Sequence, residues 1–334
     1  MHIAEGIITG MPAVASTAVA LGLAGIGAQK MNAFVADHPQ KKTLLGMAGA
    51  FIFFLSLIPL PAFNGTCSHP CGTPLAGILL GPWIGITLAT LSLILQAAFF
   101  GHGGFSTLGV NVLALGVAGA GSAWLAFQCA RKCGLSIWTA GALGGLIGDV
   151  LTYIVSGFIL ALTLAHAPQH KMTLLQYLLA IYGAYLPVQG PIAIGEMFLT
   201  GYALHYIHQQ RPEVLESLRV IAPRTVLVGA SFVLFLLAIT HGALPAQAAD
   251  VQHTPPTVSH FQGMDDAVNG RMARDAGIPV HPPLFDTQKY GDLWNTLLLL
   301  GGGAAGFIIG RSWHLLFPRK GTTPVASPSH PAKD

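Results

Sequence analysis

The sequence predicts an all-α polytopic membrane protein, and three observations support this prediction. Hydrophobic residues make up 52% of the 334 residues and charged residues only 9%, whereas soluble domains carry about 25% charged residues. The apolar runs are long and continuous rather than alternating, which favours membrane-spanning helices over a closed barrel. Glycine occurs 41 times, as is typical of helices that pack closely through small residues in lipid.

The apolar runs define nine candidate membrane spans. Pro187 and Pro191 separate the sixth span from the seventh, and they mark either a turn between two helices or a kink within one long helix. The nine spans lie at 7–28, 43–60, 74–98, 107–128, 135–165, 173–188, 190–210, 222–242 and 292–317.

Lysine and arginine residues indicate how these spans cross the membrane. Basic residues cluster at 30–42, 211–224 and 319–320. Nine spans with an extracytoplasmic N-terminus place all three clusters in the cytoplasm, together with the C-terminus. Arg131 and Lys132 then fall outside, which violates the rule at one turn.

Two polar segments interrupt the apolar pattern. Segment 243–291 is polar and rich in proline, and we expect it to be a weakly ordered extracytoplasmic loop. The tail 321–334 is rich in proline and serine and is predicted to be disordered. The formal net charge is +3, with no basic patch that would indicate a nucleic-acid partner. No Walker phosphate-binding motif is present, so the sequence has no visible ATPase of its own.

The first five residues offer a chelating site. They contain no lysine or arginine, unlike the start of a secretory signal, so we expect a mature N-terminus held at a membrane face. The α-amine of Met1, the backbone nitrogen of His2 and the His2 imidazole close two fused chelate rings on one metal ion. Such a planar nitrogen set suits Ni(II), Cu(II) or low-spin Co(II) better than Zn(II). The competing interpretation is that His2 is merely an interfacial residue.

Segment 64–74 supplies a candidate for the fourth donor in that plane. It joins two apolar helices and places His69 among glycine, proline, serine and threonine residues. A histidine in such a loop at membrane depth is costly unless it lines a cavity. We therefore expect His69 to bind the metal, the alternative being a histidine hydrogen-bonded within a turn. Asn64 and Ser68 are candidates for contacting the ligands or the metal in transit.

A second glycine-rich segment, 101–111, contains His102 and Asn111. Its His-Gly-Gly turn is suited to a close approach of another backbone. His102 is a candidate partner of the ligands or a ligand during transit. The nine-span topology places it nearer the cytoplasm, which argues against direct ligation beside His2. Asn111 is a candidate for a hydrogen bond across helices, and a structural role is favoured for both residues.

Acidic residues and cysteines complete the candidate groups. Asp149 and Glu196 lie in apolar surroundings and are functional candidates by default, although pairing with helix ends explains them equally well. Glu5 is expected to neutralise the cation or to accept a hydrogen bond from the His2 imidazole. Cys67 and Cys71 are soft ligands, a disulfide or small packing residues.

Taken together, these motifs resemble the CbiM/NikM family, the substrate-binding membrane subunits of cobalt and nickel energy-coupling-factor transporters. The matching stretches occur in family order and cover roughly residues 1–215. They lie at 1–6, 42–51, 67–73, 102–111 and 191–200.

The resemblance implies a seven-helix bundle with its N-terminal residues inserted into the centre. It implies that the Met1 amine, the His2 backbone nitrogen and imidazole, and His69 bind the metal. It also implies a bacterial cytoplasmic membrane, a scaffold transmembrane subunit and cytoplasmic ATPase subunits as partners. Cys71 stands where the family usually has threonine after the His-Pro pair, which puts the loop geometry and the metal preference in question.

The resemblance divides the chain into parts. Residues 1–217 form the predicted metal-binding core. Residues 218–320, two predicted helices joined by an extracytoplasmic loop, have the topology of the small CbiN/NikN accessory subunits, so we expect a fused accessory module there. The predicted disordered tail 321–334 follows.

The predicted function is ATP-driven uptake of Co(II) or Ni(II), with the ion as substrate and no catalytic cofactor. The first alternative is an ion-coupled secondary metal carrier with Asp149 or Glu196 as its proton site. An intramembrane metalloenzyme is disfavoured, because the sequence has no HExxH motif and no clear general base beside His69.

Overall fold

The structure, a computed structural model, describes residues 2–58, 60–61, 66–221, 262–263, 265–280, 297 and 300. The chain divides into two compact units, Met1–Asp286 and Thr287–Asp334. In the second unit the described residues are Leu297 and Leu300, both helical and exposed. The predicted span 222–242, most of the predicted span 292–317 and the tail 321–334 lie outside the described residues.

The first unit is built from helices. Among the residues that the structure describes, five helices, α1, α4, α5, α6 and α7, are long and apolar enough to cross a membrane, which confirms the predicted all-α polytopic fold. The helices are α1 Gly10–Asp37, α2 Lys42–Leu55, α3 Thr73–Leu80, α4 Pro82–Phe99, α5 Leu108–Lys132, α6 Ile137–Ala165, α7 Leu174–Gln210 and α8 Pro212–Ser217, with a 3-10 turn at Pro39–Lys41 and a π-helical stretch within α5 at Leu113–Ala120.

Capping residues explain where the two longest helices begin. The Ser136 side chain accepts a hydrogen bond from the backbone N–H of Thr139 before α6. Thr173 forms a capping box with Gln176 before α7. Both caps satisfy backbone groups that a helix start leaves without intrahelical partners. The start of α6 accordingly lies within two residues of the predicted start of the fifth span at 135.

The two predicted spans at 173–188 and 190–210 are one continuous helix. α7 runs through Pro187 and Pro191, so the second interpretation of these prolines is the correct one. Transmembrane helices tolerate proline because neighbouring groups satisfy the freed carbonyls. At about 1.5 Å per residue α7 is about 55 Å long, well beyond the roughly 30 Å hydrocarbon core. α1 also continues further than predicted, to Asp37 rather than 28.

The predicted span 74–98 is divided, because the chain reverses direction at Gly81 and Pro82. Gly81 has a φ of 86°, which only glycine adopts easily. A Cβ on Gly85 would lie 3.4 Å from the Gly77 Cα, and one on Gly77 would lie 2.8 Å from the Ala120 Cα. α3 therefore folds back on α4, and both cross α5 at backbone-to-backbone distance through small residues.

Part of the predicted loop 243–291 is folded onto the core. It contains the strand β3 Gln262–Gly263, a π-helical turn at Asp265–Gly270 and the helix α9 Arg271–Asp275. β3 pairs in parallel with β2 Thr66–Ser68, which pairs antiparallel with β1 Leu60–Pro61. The expectation of a weakly ordered loop is therefore wrong for these residues.

Side chains explain why this segment folds. Val268, Ala273 and Ala276 are buried in the same apolar cluster as Ile3 and Ile7. Asn269 is fully buried, and its Oδ1 accepts a hydrogen bond of 2.8 Å from the Tyr185 hydroxyl on α7. Burial of these apolar groups and satisfaction of the buried amide oxygen fix the segment on the core.

Candidate metal centre

Three histidines meet in the interior of the first unit. The ring centroids of His2 and His69 are 4.8 Å apart, those of His2 and His102 are 4.4 Å apart, and those of His69 and His102 are 5.2 Å apart. Each ring offers a nitrogen, and the three nitrogens lie within 4.8 Å of one another. The structure therefore brings together the predicted ligands His2 and His69 and adds His102.

The expectation that His102 lies away from His2, nearer the cytoplasm, is wrong. It assumed that one straight helix separates His69 from His102. The reversal at Gly81 shortens this path, because the short helix α3 leaves the loop of His69 and α4 returns the chain toward the same region. The Gly101 and Gly103 backbones, both at positive φ, then turn His102 toward His2.

The N-terminal segment is fixed to α5 through the backbone of Ile3. The Ile3 N–H donates a hydrogen bond of 2.8 Å to Asn111 Oδ1. The Ile3 carbonyl accepts hydrogen bonds from Asn111 Nδ2 at 3.1 Å and from Thr107 Oγ1 at 2.7 Å. The expected hydrogen bond of Asn111 across helices is therefore replaced by hydrogen bonds to the backbone of the non-helical N-terminal segment. These contacts hold His2, which is 0% exposed, in a fixed position beside His102.

Glu5 fixes the same segment to the turn after His102. Its carboxylate accepts hydrogen bonds from the backbone N–H groups of Phe105 at 2.6 Å and Ser106 at 3.1 Å. Neither imidazole nitrogen of His2 has a hydrogen-bond partner among the described residues. The expectation that Glu5 accepts a hydrogen bond from the His2 imidazole is therefore wrong, and Glu5 serves to order the backbone.

Gly104 makes this approach sterically possible. A Cβ at this position would lie 2.7 Å from the Glu5 Cα, closer than two carbons approach without a shift of the backbone. We expect Gly104→Ala to displace the N-terminal segment and to weaken metal binding about 10- to 100-fold, as measured by calorimetric titration of Co(II). Gly22→Ala is the matched control, since a Cβ at Gly22 meets nothing within 4 Å; equal affinities of the two variants would contradict this prediction.

The loop of His69 is held from the opposite side, by α6 and α7. Ser68 Oγ lies 2.9 Å from the Tyr153 hydroxyl and donates to Gln189 Oε1 at 3.0 Å. The Tyr153 hydroxyl donates to the His69 carbonyl at 3.0 Å. Ser68 therefore contacts the anchoring side chains and not the imidazoles. Met1 and Asn64, the other two predicted site residues, lie outside the described residues.

Buried imidazole nitrogens without partners distinguish this cluster from a structural one. His2 Nδ1, His2 Nε2 and His69 Nε2 have no hydrogen-bond partner among the residues that the structure describes. Each such buried group costs about 1–3 kcal/mol, so this arrangement is costly unless a ligand completes it. Burial lowers the pKa of His2 and of His69 well below their usual values. Both imidazoles are therefore neutral at pH 7, the form that binds a metal ion.

A second group of side chains lies next to the loop. Cys71, Asp149 and Glu196 are buried, and each offers one atom within 4.8 Å of the others. Cys71 is a free cysteine, so the alternative of a disulfide at this residue is wrong. The sequence pointed to the two acids but not to Tyr153 and Gln189, which contact the loop directly. Helical periodicity could have indicated both residues, because Tyr153 lies one helical turn after Asp149 and Gln189 lies two turns before Glu196.

The fold and the site define a multi-pass helical membrane protein with a buried nitrogen-donor centre of the kind that binds transition metals. The CbiM family, described as the cobalt uptake substrate-specific transmembrane region, matches residues 2–214. The chain belongs to this family, and the resemblance seen in the sequence is confirmed.

Individual relatives agree with the family match. The cobalt transport protein CbiM of Geobacter sulfurreducens is 32% identical over 330 residues, which is 96% of this chain and 91% of the relative. That of Sorangium cellulosum is 35% identical over 222 residues, 66% of this chain and 97% of the relative. A crystal structure of a transition metal transporter matches with a TM-score of 0.53 and 26% identity, over 66% of this chain and 99% of the other.

Proposed function

We propose that this chain is the substrate-binding membrane subunit of an ATP-driven importer of Co(II), with Ni(II) as the second candidate ion. The cluster of His2, His69 and His102 is the observation that supports this function. Both ring nitrogens of His2 and Nε2 of His69 lack hydrogen-bond partners among the described residues, and one nitrogen of each of the three rings lies within 4.8 Å of the other two. Nitrogen donors of this kind select late first-row transition metals over Mg(II) and Ca(II).

The proposed ligands are the Met1 amine, the His2 backbone nitrogen and imidazole, and the His69 imidazole. His102 lies with its ring turned 79° from that of His2 and 70° from that of His69. A nitrogen of His102 lies within 4.8 Å of nitrogens of His2 and His69, so we propose His102 as an additional donor. An additional donor of this kind favours Co(II), which accepts five or six ligands more readily than planar Ni(II) does. The names of the CbiM relatives, which are cobalt transport proteins, support the same order of preference.

The proposed energy source is ATP hydrolysis by separate cytoplasmic subunits, coupled through a scaffold transmembrane subunit in the bacterial cytoplasmic membrane. The absence of a Walker motif from the sequence agrees with ATP hydrolysis by separate subunits. The alternative of an ion-coupled carrier needs a carboxylate that is free to exchange protons. Glu196 accepts two backbone hydrogen bonds and Asp149 accepts two from Gln189, which favours an anchoring role for both.

Residues 218–320 are proposed to be a fused accessory module that acts on the metal site. Within this module, β3 pairs with the strand that leads into His69, and Val268, Ala273 and Ala276 belong to the apolar cluster that includes Ile3. The module therefore pairs with the strand before His69 and shares an apolar cluster with the N-terminal segment, which gives it a route to influence metal entry.

Cobalt uptake by intact cells tests this function. Cells without their own cobalt importer would express the chain alone, with active scaffold and ATPase subunits, or with an ATPase variant that binds but does not hydrolyse ATP. We expect uptake of radioactive Co(II) only with the active ATPase, and its loss in the His69→Ala variant under the same conditions. Uptake that is independent of the ATPase and collapses with a protonophore would instead support the ion-coupled carrier.

A further inference from the structure

The backbone on both sides of His69 is held by polar side chains from two helices. Before His69, Ser68 contacts Tyr153 of α6 and Gln189 of α7. After His69, the Glu196 carboxylate of α7 accepts hydrogen bonds from two successive backbone N–H groups. Cys71 N–H donates to Oε2 at 2.6 Å and Gly72 N–H donates to Oε1 at 2.7 Å. Each oxygen of the Glu196 side chain therefore accepts one hydrogen bond, and the two together fix two successive peptide groups.

Asp149 connects the hydrogen bonds before His69 and those after His69 into one network. Gln189 Nε2 donates to Asp149 Oδ1 at 3.0 Å and to Oδ2 at 2.8 Å. The Cys71 thiol donates to Asp149 Oδ1 at 3.2 Å. Every member of this network is at most 5% exposed, so water does not compete for these hydrogen bonds. The oxygens of both carboxylates are already engaged, which identifies the group of Cys71, Asp149 and Glu196 as an anchor rather than as a second metal site.

His2 and His69 are therefore held by different helices. His2 is held to α5 by Asn111 and Thr107 through the Ile3 backbone. His69 is held to α6 and α7 by the network above. A movement of α6 and α7 relative to α5 consequently changes the distance between the His69 and His2 imidazoles.

We propose that Glu196 is a positioning residue for metal binding, acting through His69. The inference rests on the proposed function, because it takes His69 as a ligand of the transported ion. Glu196 touches no metal in this scheme. It fixes the peptide groups of Cys71 and Gly72, and through them the direction in which the His69 imidazole points toward His2.

A double-mutant cycle in the full-length protein tests the proposal. Co(II) affinity would be measured by calorimetry in detergent for the wild type, Glu196→Gln, His69→Ala and the double variant. Glutamine has the size of glutamate, but its amide N–H₂ faces a backbone donor, so one hydrogen bond is lost. We expect Glu196→Gln to weaken Co(II) binding about 10- to 100-fold when His69 is present, and to have no further effect in the His69→Ala background.

The control and the outcomes distinguish this proposal from simpler explanations. Glu213→Gln, at an exposed glutamate of α8, should leave Co(II) affinity unchanged. An equal loss in both backgrounds would show that Glu196 supports the bundle as a whole and would overturn the proposal, as would no loss in either. If His69→Ala alone leaves the affinity unchanged, the proposed metal site itself is wrong.

A milder variant keeps the test decisive if Glu196→Gln does not yield folded protein. Tyr153→Phe retains the ring and removes only the hydroxyl that donates to the His69 carbonyl. We expect a loss of Co(II) affinity of about 2- to 10-fold with His69 present and none in the His69→Ala background. The absence of this difference would equally overturn the role of the network.

Discussion

One residue added before Met1 is expected to weaken Co(II) binding by about a hundredfold or more. The estimate follows from tetradentate zinc sites, where about 10–16 kcal/mol is shared by four ligands, or about 3 kcal/mol per donor. The extension converts the proposed amine ligand into a peptide nitrogen and opens the first chelate ring. The register of the segment cannot slip to compensate, because the Ile3 backbone is held by Asn111 and Thr107.

Calorimetric titration of Co(II) into chains that begin at Met1, with and without the added residue, measures this effect. A residue added after Asp334 is the matched control and should leave Co(II) affinity unchanged. Acetylation of the Met1 amine, which keeps the length of the chain, should reproduce the loss. Tight binding by the N-terminally extended chain would place the site on the side chains of His2, His69 and His102 alone.

The helices of this protein follow from its sequence where hydrophobicity and capping agree. The span predicted at 135–165 matches α6 because Ser136 caps its first turn. The span predicted at 74–98 fails for a physical reason, since glycine and proline occur within transmembrane helices and Gly81-Pro82 gave no clear break in hydrophobicity. Whether such a pair kinks a helix or reverses the chain depends on close packing against α5, which is a tertiary interaction.

The residues of the candidate metal centre follow only in part from the sequence. His2 is predicted from the chelate that it forms with the N-terminal amine, and His69 from the cost of a histidine in a loop at membrane depth; the structure brings the two rings together. The prediction that His102 lies nearer the cytoplasm is wrong because its position beside His2 depends on the chain reversal at Gly81. The role of Gln189 and Tyr153 is not predictable from the sequence, because an uncharged polar residue in an apolar helix has no evident function until its hydrogen-bond partner is known.

The C-terminal third gives the second large expected effect. Removal of residues 222–334 should leave a folded core, because the Sorangium cellulosum relative has nearly the length of the core alone: 222 aligned residues make up 97% of it. The cut after Ile221 retains Leu218 and Val220, which are buried against the core helices. Circular dichroism and gel filtration of the truncated protein in detergent should match a helical, monodisperse core.

Cobalt uptake by the same truncated protein is expected to fall at least about tenfold in cells with active scaffold and ATPase subunits. The truncation removes β3, which pairs with the strand before His69, and the side chains of Val268, Ala273 and Ala276, which belong to the apolar cluster that includes Ile3. Both proposed ligand segments thereby lose a neighbour. Deletion of 321–334 alone is the matched control and should not reduce uptake. Full uptake by the chain that ends at Ile221 would exclude an accessory function for this module, whereas loss of uptake by a folded, metal-binding core would assign the module to metal delivery rather than to stability.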